Sequence, residues 1–308
     1  MSPTSTPKVA VLLATYEGMP WLPDQLRSIL EQRDVDVRII VSDDGSDDGT
    51  LEALDAVGSD RLTVLPRRER RGGSAQNFCH LIDVADVADD EYVAFADQDD
   101  LWFPDKLARH VMLARQHDAD GISSSVEALY PDGSMVTIRK DHPQRRLDFI
   151  CESPGPGATF LLTPEGFRLV REDLRSGIVD VDALGFHDWI VYALLRARGR
   201  RWIIDHWPSI AYRQHDNNAL GANHGLGAIR TRLGMLHMGW YREQFSLVAH
   251  ACERVADPRL ARDIHRVATL LDKLGPLARL RLAGWCWQLR RRPRDRVFLA
   301  ATCLAGLW

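Results

Sequence analysis

The sequence predicts a doubly wound α/β domain with a mostly parallel sheet, followed by a helical extension at the C-terminus. Two observations lead to this fold class. Short apolar runs alternate with amphipathic segments between residues 8 and 115, as strands and helices do in a parallel sheet. Beyond residue 227 the apolar residues change to helical spacing, which continues to the end of the chain.

The first β-α-β unit is predicted at the start of the chain. Lys8 to Ala14 is a continuous apolar run, typical of a strand that is buried on both faces of a sheet. Apolar residues then recur at helical spacing over residues 22–30, and Val37 to Ser42 reads as the second strand. A helix therefore connects two parallel strands.

The alternation continues through the remainder of the chain. The later predicted elements are a helix over 51–57 with Ser46 or Asp47 as its N-cap, a strand near 61–65, a helix over 74–87, a strand at 92–96, a helix with Pro104 at its first position, a hairpin at 121–138, a helix opened by residues 186–189, and strands at 202–204 and 209–212. We expect an α/β domain at 1–224, with halves 8–115 and 116–224, and a helical extension at 225–308.

The composition excludes several classes of protein. With 45% hydrophobic and 27% charged residues, the chain is that of an ordinary globular protein, and a net charge of -4 gives no general attraction to nucleic acid. The five cysteines are odd in number and widely spaced, which argues against a disulfide framework and against zinc. There is no signal-peptide pattern and no apolar run of about 18 residues, so a cytoplasmic protein is expected.

Three carboxylates end the apolar run at residues 92–96. Asp97, Asp99 and Asp100 repel one another at the carboxyl end of a buried strand, and a divalent cation, Mg²⁺ or Mn²⁺, is their natural neutraliser. The alternative is a solvated acidic loop that caps the next helix at Asp105. Within the turn, Asp100 is expected to belong to the start of the next helix and to carry no chemistry.

Two further polar clusters follow the first and second strands. The carboxylates Asp43 and Asp44 can accept a hydrogen bond from the N3–H of a pyrimidine base, while Tyr16 offers a ring for stacking and Thr15 a hydroxyl. Because ligands bind beyond the carboxyl ends of strands in such sheets, all three clusters are expected at one edge.

Four motifs resemble family-two glycosyltransferases of GT-A fold. They are Ala-Thr-Tyr-Glu-Gly at 14–18, Ser-Asp-Asp-Gly-Ser-Asp-Asp-Gly-Thr at 42–50, Gly72-Gly73 with Asn77, and Phe-Ala-Asp-Gln-Asp-Asp-Leu-Trp at 95–102. The match covers residues 8–115. His187-Asp188-Trp189 and Tyr212-Arg213-Gln214-His215 resemble segments of rhamnosyltransferase-like members.

This resemblance implies a role for each matching residue. Asp44 is expected to read the base, Asp97 and Asp99 to hold diphosphate and metal, and Asp188 to act as the catalytic base. Residues expected to bind the nucleotide sugar are Thr15, Tyr16, Glu17, Asp43, Asp44, Arg71, Gly73, Asn77, Asp97, Gln98 and Arg213; those expected at the metal are Asp99 and His215. Glu17 departs from the asparagine that many members carry.

Several of these residues have a second interpretation. Asp188 could be a helix cap, and His187 could be the base in its place. His215 could lie on the surface and Arg213 could form a salt bridge. Trp102, Trp189 and the Gly155–Gly157 loop could line the acceptor site, or Trp102 could belong to the core.

The C-terminal tail is strongly basic. Between Lys273 and Arg296 there are eight cations and one acid, interleaved with leucines and tryptophans. This pattern favours a helix pair on an anionic bilayer surface, which would place the protein on the inner leaflet of the cell membrane. The alternative is a packed helix pair with a solvated basic face.

The function that the sequence predicts is inverting, metal-dependent transfer of a sugar, with rhamnose as the leading candidate, from a UDP- or dTDP-sugar to a glycan or lipid-linked acceptor in cell-surface polysaccharide biosynthesis. A nucleotidyltransferase would instead need a Gly-rich phosphate loop after the first strand, which residues 15–20 lack. A noncatalytic nucleotide-sugar- or glycan-binding module of the same fold is the other alternative.

Overall fold

The structure, a computed structural model, describes residues 6–66, 72–215, 234–236, 238–273 and 275–307. Its strands are β1 (Lys8–Thr15), β2 (Asp36–Asp43), β3 (Leu62–Val64), β4 (Tyr92–Ala96), β5 (Leu101–Trp102), β6 (Gly121–Ser124), β7 (Val126–Leu129), β8 (Met135–Ile138), β9 (Leu161–Leu162), β10 (Trp202–Asp205) and β11 (Ile210–Arg213). Its helices of nearly two turns or more are α1 (Leu22–Leu30), α2 (Thr50–Ala56), α3 (Ser74–Val84), α4 (Lys106–His117), α5 (Pro164–Arg175), α6 (His187–Ala197), α7 (Trp240–Val255), α8 (Pro258–Leu271), α9 (Pro276–Leu289) and α10 (Pro293–Ala305).

The main sheet has seven strands in the spatial order β10-β6-β9-β4-β1-β2-β3. All neighbouring strands run parallel except β9, which is antiparallel to both β4 and β6. The register of β1 and β2 pairs Thr15 with Asp43, so the polar residues that follow both strands meet at one edge. The predicted doubly wound, mostly parallel sheet is therefore confirmed.

A second sheet brings distant residues to that same edge. Its order is β5-β11-β7-β8, and β5 pairs antiparallel with β11 through Trp102 and Ile210. Residues 211–215 consequently run back alongside residues 97–101. The predicted hairpin is formed by β7 and β8, whereas β6, which precedes it, belongs to the main sheet.

The C-terminal helices share a core with the α/β part. One buried cluster extends from Phe95 on β4 through Ile190 on α6 to Val248 on α7, Ile264 on α8 and Cys286 on α9. The expected domain boundary at 224/225 lies outside the described residues. All five cysteines are buried and free.

Two local predictions are wrong, and one helix was not predicted. The N-cap of α2 is Gly49, because Ser46 turns to other partners in the loop. Helix α4 begins at Lys106, so Pro104 is not its first residue as predicted. The N-cap of α4 is Asp105, whose side chain makes no hydrogen bond to the helix. Helix α5 was not predicted, although Thr163 caps it through a bond from the Gly166 backbone N–H and Pro164 occupies its first position.

Candidate active site

Asp43 organises the loop after β2. Its carboxylate accepts hydrogen bonds from the Thr15 hydroxyl at 2.8 Å, the backbone N–H groups of Gly45 and Ser46 at 3.0 and 2.8 Å, and the Ser46 hydroxyl at 2.6 Å. Four bonds fill the accepting capacity of a carboxylate. Asp43 and Thr15 therefore shape the loop, and contact between Asp44 and a base stays a prediction.

Asp44 and Asn77 connect this loop to the start of α3. The Gly72 N–H donates to Asp44 Oδ2 at 3.2 Å, and Gly72 has φ +94°, a conformation that glycine adopts without strain. The buried Asn77 amide donates to the Ser42 carbonyl at 2.9 Å, and Gly73 is the N-cap of α3. Arg71, the predicted diphosphate partner, lies outside the described residues.

Gln98 joins the acidic turn to the end of β1. Its amide accepts from the Tyr16 N–H at 2.7 Å and donates to the Tyr16 carbonyl at 2.8 Å. The Tyr16 ring is 37% exposed, so a face for base stacking is accessible. Glu17 adopts φ +51° and accepts from the Asp47 N–H at 2.9 Å, which fastens it to the loop after β2.

In the acidic turn, residues 97–100, several carboxylates lie close enough to shift one another's pKa. Burial, with the charges of Asp99 and Asp188, raises the pKa of Asp97 to about 8. Asp100 is 1% exposed, lies directly before β5 and accepts from the Arg213 N–H at 3.3 Å; burial and its neighbours raise its pKa well above the usual range. Assigning Asp100 to the start of the next helix is therefore wrong. The solvated-loop alternative also fails for Asp100.

Lys106 is a buried lysine near these carboxylates. Its Nζ donates to the Ala158 carbonyl at 2.6 Å and lies 2.9 Å from the centre of the Trp102 ring. Burial lowers its pKa well below the usual value, which the charges of Asp100 and Asp97 oppose. Sequence reasoning missed Lys106, whose signal was a lysine on the apolar side of an amphipathic helix.

His215 closes the turn from the other side. Its Nε2 lies 2.7 Å from Asp99 Oδ2, and its ring stacks on Trp21 with centroids 4.3 Å apart. Both side chains are 17% exposed, so His215 is not the surface histidine of the alternative interpretation. Trp21, which orients the imidazole, was not predicted.

Asp99 and His215 fit a divalent cation in donor set and position. Within the described ranges no three His, Cys, Asp or Glu side chains cluster as ligands. Mg²⁺ and Mn²⁺ bound with a diphosphate need only one or two protein ligands, since phosphate oxygens and water complete the shell. The close carboxylates of Asp97 and Asp99 also favour a cation between them and a substrate.

Arg213 forms the salt bridge that the sequence left open. Its guanidinium donates to Asp24 Oδ2 at 3.0 Å. Arg213 nevertheless lies two residues before His215 on the strand that borders the acidic turn. Its contact with a phosphate stays a prediction.

Asp188 is the second residue of α6, and the N-cap is Phe186, so Asp188 is not the helix cap. Its carboxylate accepts from the Ser153 hydroxyl at 3.1 Å and from the Trp189 N–H at 2.7 Å. Burial raises the pKa of Asp188 to about 6 despite these bonds. A carboxylate with this pKa is a competent proton acceptor at neutral pH.

His187 is a much weaker candidate for the base. Its ring stacks on Phe78 with centroids 3.7 Å apart and meets Phe95 edge-on. Burial in this aromatic cluster lowers the pKa of His187 to about 3, so the imidazole is a poor base. The structure therefore favours Asp188 over His187 as the base.

The Ser153–Gly157 loop packs directly on Asp188. A Cβ at Gly157 would lie 2.3 Å from His187 Nε2 and 3.3 Å from Asp188 Cβ, so only glycine allows this approach. The two tryptophans proposed for the acceptor site are instead core residues. Trp102 is 3% exposed beneath Lys106, and Trp189 donates to the Phe149 carbonyl at 2.8 Å.

The fold and the site define a class of protein. The family model described as "Glycosyl transferase family 2" matches residues 10–158. A dTDP-rhamnosyl transferase, RfbG, of Shigella flexneri is 35% identical over 299 residues, which cover 96% of this chain and 100% of that protein. The chain therefore belongs to glycosyl transferase family 2 and is a glycosyltransferase. The noncatalytic and nucleotidyltransferase alternatives are thereby set aside.

Solved structures agree with the GT-A fold. The chain is similar to residues 1–349 of S. aureus TarS in complex with UDP-GlcNAc, with a TM-score of 0.60, 14% identity, and coverage of 98% of this chain and 82% of that one. It is also similar to the mannosyltransferase PcManGT from Pyrobaculum calidifontis in complex with GDP-Man and Mn²⁺, with a TM-score of 0.54, 21% identity, and coverage of 99% and 82%. The predicted fold class is confirmed.

Proposed function

We propose that the protein transfers rhamnose from dTDP-rhamnose to a glycan or lipid-linked acceptor in cell-surface polysaccharide biosynthesis. The single observation that carries the donor is the similarity to the Shigella flexneri dTDP-rhamnosyl transferase over nearly the whole of both chains. In this proposal the thymine base hydrogen-bonds to Asp44 and stacks on Tyr16, which is 37% exposed.

The transfer is an inverting displacement with Asp188 as general base. The acceptor hydroxyl oxygen forms a bond to the anomeric carbon while the bond from that carbon to the diphosphate oxygen breaks. The hydroxyl proton passes to the Asp188 carboxylate, and the bonding electrons leave with dTDP. Asp188 faces the same acidic turn as Asp97, whose pKa its charge raises, so base and diphosphate region are close neighbours.

The diphosphate is held by the acidic turn with a divalent cation. Asp99 and His215 would bind Mn²⁺ or Mg²⁺, which would neutralise the negative charge that develops on the leaving diphosphate. The mannosyltransferase of similar fold was solved with Mn²⁺, which supports this cofactor. Asp97 is placed towards the donor ribose or diphosphate, and Arg213 is a partner for the phosphates.

The donor is tested by a nucleotide-release panel on the wild type, with dTDP-rhamnose, UDP-N-acetylglucosamine and GDP-mannose in Mn²⁺ or Mg²⁺. We expect dTDP-rhamnose to have the highest kcat/KM, by about tenfold or more. Faster turnover of a UDP- or GDP-sugar would assign a different donor, and release from none of the three would contradict the proposal.

The second proposed partner is a membrane surface. The part of the protein that would contact it consists mainly of apolar side chains. No helix within the described residues is long and apolar enough to cross a bilayer. Helices α9 and α10 instead expose an apolar stripe, whose residues are each more than half exposed: Leu277, Leu280, Trp287, Val297, Phe298 and Leu304. Such a stripe suits the interface of a bilayer.

Some cations of the C-terminal tail are buried, whereas the sequence interpretation placed them on a basic surface. Arg291 and Arg296 are 5% and 9% exposed, and Arg291 donates to the Ser153 carbonyl at 2.5 Å. Of the tail's cations, Lys273, Arg281 and Arg294 are exposed. Three exposed cations still favour an anionic surface over a neutral one.

Replacing Phe298 and Leu304 by aspartate should lower partition onto phosphatidylglycerol vesicles at least about tenfold, because each buried side chain contributes about 1.5–3 kcal/mol. Both side chains face solvent, so the fold should persist. The matched control is Val136→Asp on β8, an equally exposed apolar position away from the stripe. Partition that is unchanged in the double variant would remove the membrane proposal.

A further inference from the structure

An unusual lysine lies beside the proposed base. Lys140 follows β8, and its backbone N–H donates to the Ser125 hydroxyl at 3.1 Å. Its side chain packs over the loop that holds Asp188, since a Cβ at Gly155 would lie 3.6 Å from Lys140 Cγ. The Lys140 and Asp188 charges are close enough for each to shift the pKa of the other. Lys140 therefore belongs to the surroundings of the transfer site.

Lys140 is surrounded by arginines. Arg139 forms two bonds to Asp141, at 3.1 and 3.0 Å, and Arg291 lies 3.6 Å from both Asp148 and Glu152. These two guanidinium groups are neutralised. Arg292, in contrast, donates to the Arg139 carbonyl at 2.6 Å and has no carboxylate partner among the described residues.

Lys140 Nζ makes no hydrogen bond or ion pair with any described residue, although Lys140 is half-buried. Burial and the charges of Arg292 and Arg291 lower the pKa of Lys140 to about 8, and Arg292 also contributes to lowering the pKa of His142. Keeping two unneutralised cations together in a half-buried place is costly unless an anion joins them.

We propose that Lys140 and Arg292 form a subsite that binds a phosphate group of the acceptor next to Asp188. Arg292 lies in the turn between α9 and α10, the helices that carry the exposed apolar stripe. A phosphate attached to a lipid chain satisfies both features, because its anion pairs with the cations while its chain enters the bilayer on which the stripe rests. This subsite rests on the proposed function and specifies its acceptor as a glycan that is joined to a lipid through a phosphate or diphosphate: the sugar supplies the reacting hydroxyl, and the subsite binds the phosphate.

The test is protection of Lys140 from acetylation, measured on the full chain by peptide mass spectrometry. The lysines are Lys8, Lys106, Lys140 and Lys273, so the others serve as internal references. The donor site is filled with dTDP, and the probe is farnesyl diphosphate. At a concentration about ten times its Kd, the probe should slow acetylation of Lys140 about tenfold and leave Lys8, at the start of β1, unchanged.

Two variants and two further probes show whether the protection requires Arg292 and the phosphate groups of the probe. Arg292→Gln should abolish the protection, whereas Arg294→Gln should retain it, because Arg294 is exposed and lies 3.5 Å from Asp295. Inorganic pyrophosphate should protect more weakly than farnesyl diphosphate, and farnesol should not protect. Unchanged acetylation with farnesyl diphosphate, or equal protection by farnesol, would overturn the subsite. Acetylation needs no turnover, so donor release by the wild type tests the proposed function separately.

Discussion

Asp188→Asn should lower the rate of sugar transfer by about 10²- to 10⁴-fold, the contribution that a positioned general base makes to catalysis. Asparagine keeps the shape of the side chain and can accept from the Ser153 hydroxyl, but it cannot take the proton of the acceptor hydroxyl. The measurement is kcat for transfer beside the Kd for dTDP, which should stay unchanged. Asp182→Asn, an exposed carboxylate in the loop before α6, is the control.

The pH dependence gives the same prediction a second readout. Because the pKa of Asp188 is raised to about 6, the transfer rate should rise with pH up to about 6 and level off above it. The Ser153 bond lowers the pKa of Asp188, so Ser153→Ala should move this limb to higher pH. An Asp188→Asn enzyme with wild-type transfer would show that the base lies elsewhere.

Asp99→Ala should weaken binding of Mn²⁺ in the presence of dTDP by at least about 100-fold, because it removes a direct ligand, whereas loss of an outer-shell partner alone costs 10- to 100-fold. Isothermal titration of Mn²⁺ into the dTDP complex measures this change. Asp105→Ala is the matched control, since Asp105 is exposed and lies 3.7 Å from Arg33, away from His215. Equal Mn²⁺ affinity in Asp99→Ala and the wild type would exclude Asp99 as a ligand.

Most of the residues at the carboxyl edge of the main sheet, where the donor is proposed to bind, could be predicted because their sequence patterns are local. Apolar runs that end in polar residues mark the carboxyl ends of buried strands, and parallel pairing brings those ends together. Thr15, Asp43 and Asp97 were placed in this way. The division of roles between Asp43 and Asp44 was not predictable, since it depends on which carboxylate faces the Thr15 and Ser46 hydroxyls.

The site residues that could not be predicted depend on contacts between distant parts of the chain. His215 meets Asp99 across 116 residues because the two-residue strand β5 pairs with β11, and so short a strand leaves no periodic signal. Asp100 was misassigned for the same reason. The buried state of Arg291 depends on Asp148 and Glu152, which lie far from it in sequence.

The most direct test of metal-dependent rhamnosyl transfer at this edge is release of dTDP from dTDP-rhamnose, measured for the wild type and Asp99→Ala with Mn²⁺ and with a chelator. We expect release by the wild type with Mn²⁺, little release with the chelator, and little release by Asp99→Ala under either condition. Equal release by both proteins, or release by the wild type that the chelator leaves unchanged, would contradict the account.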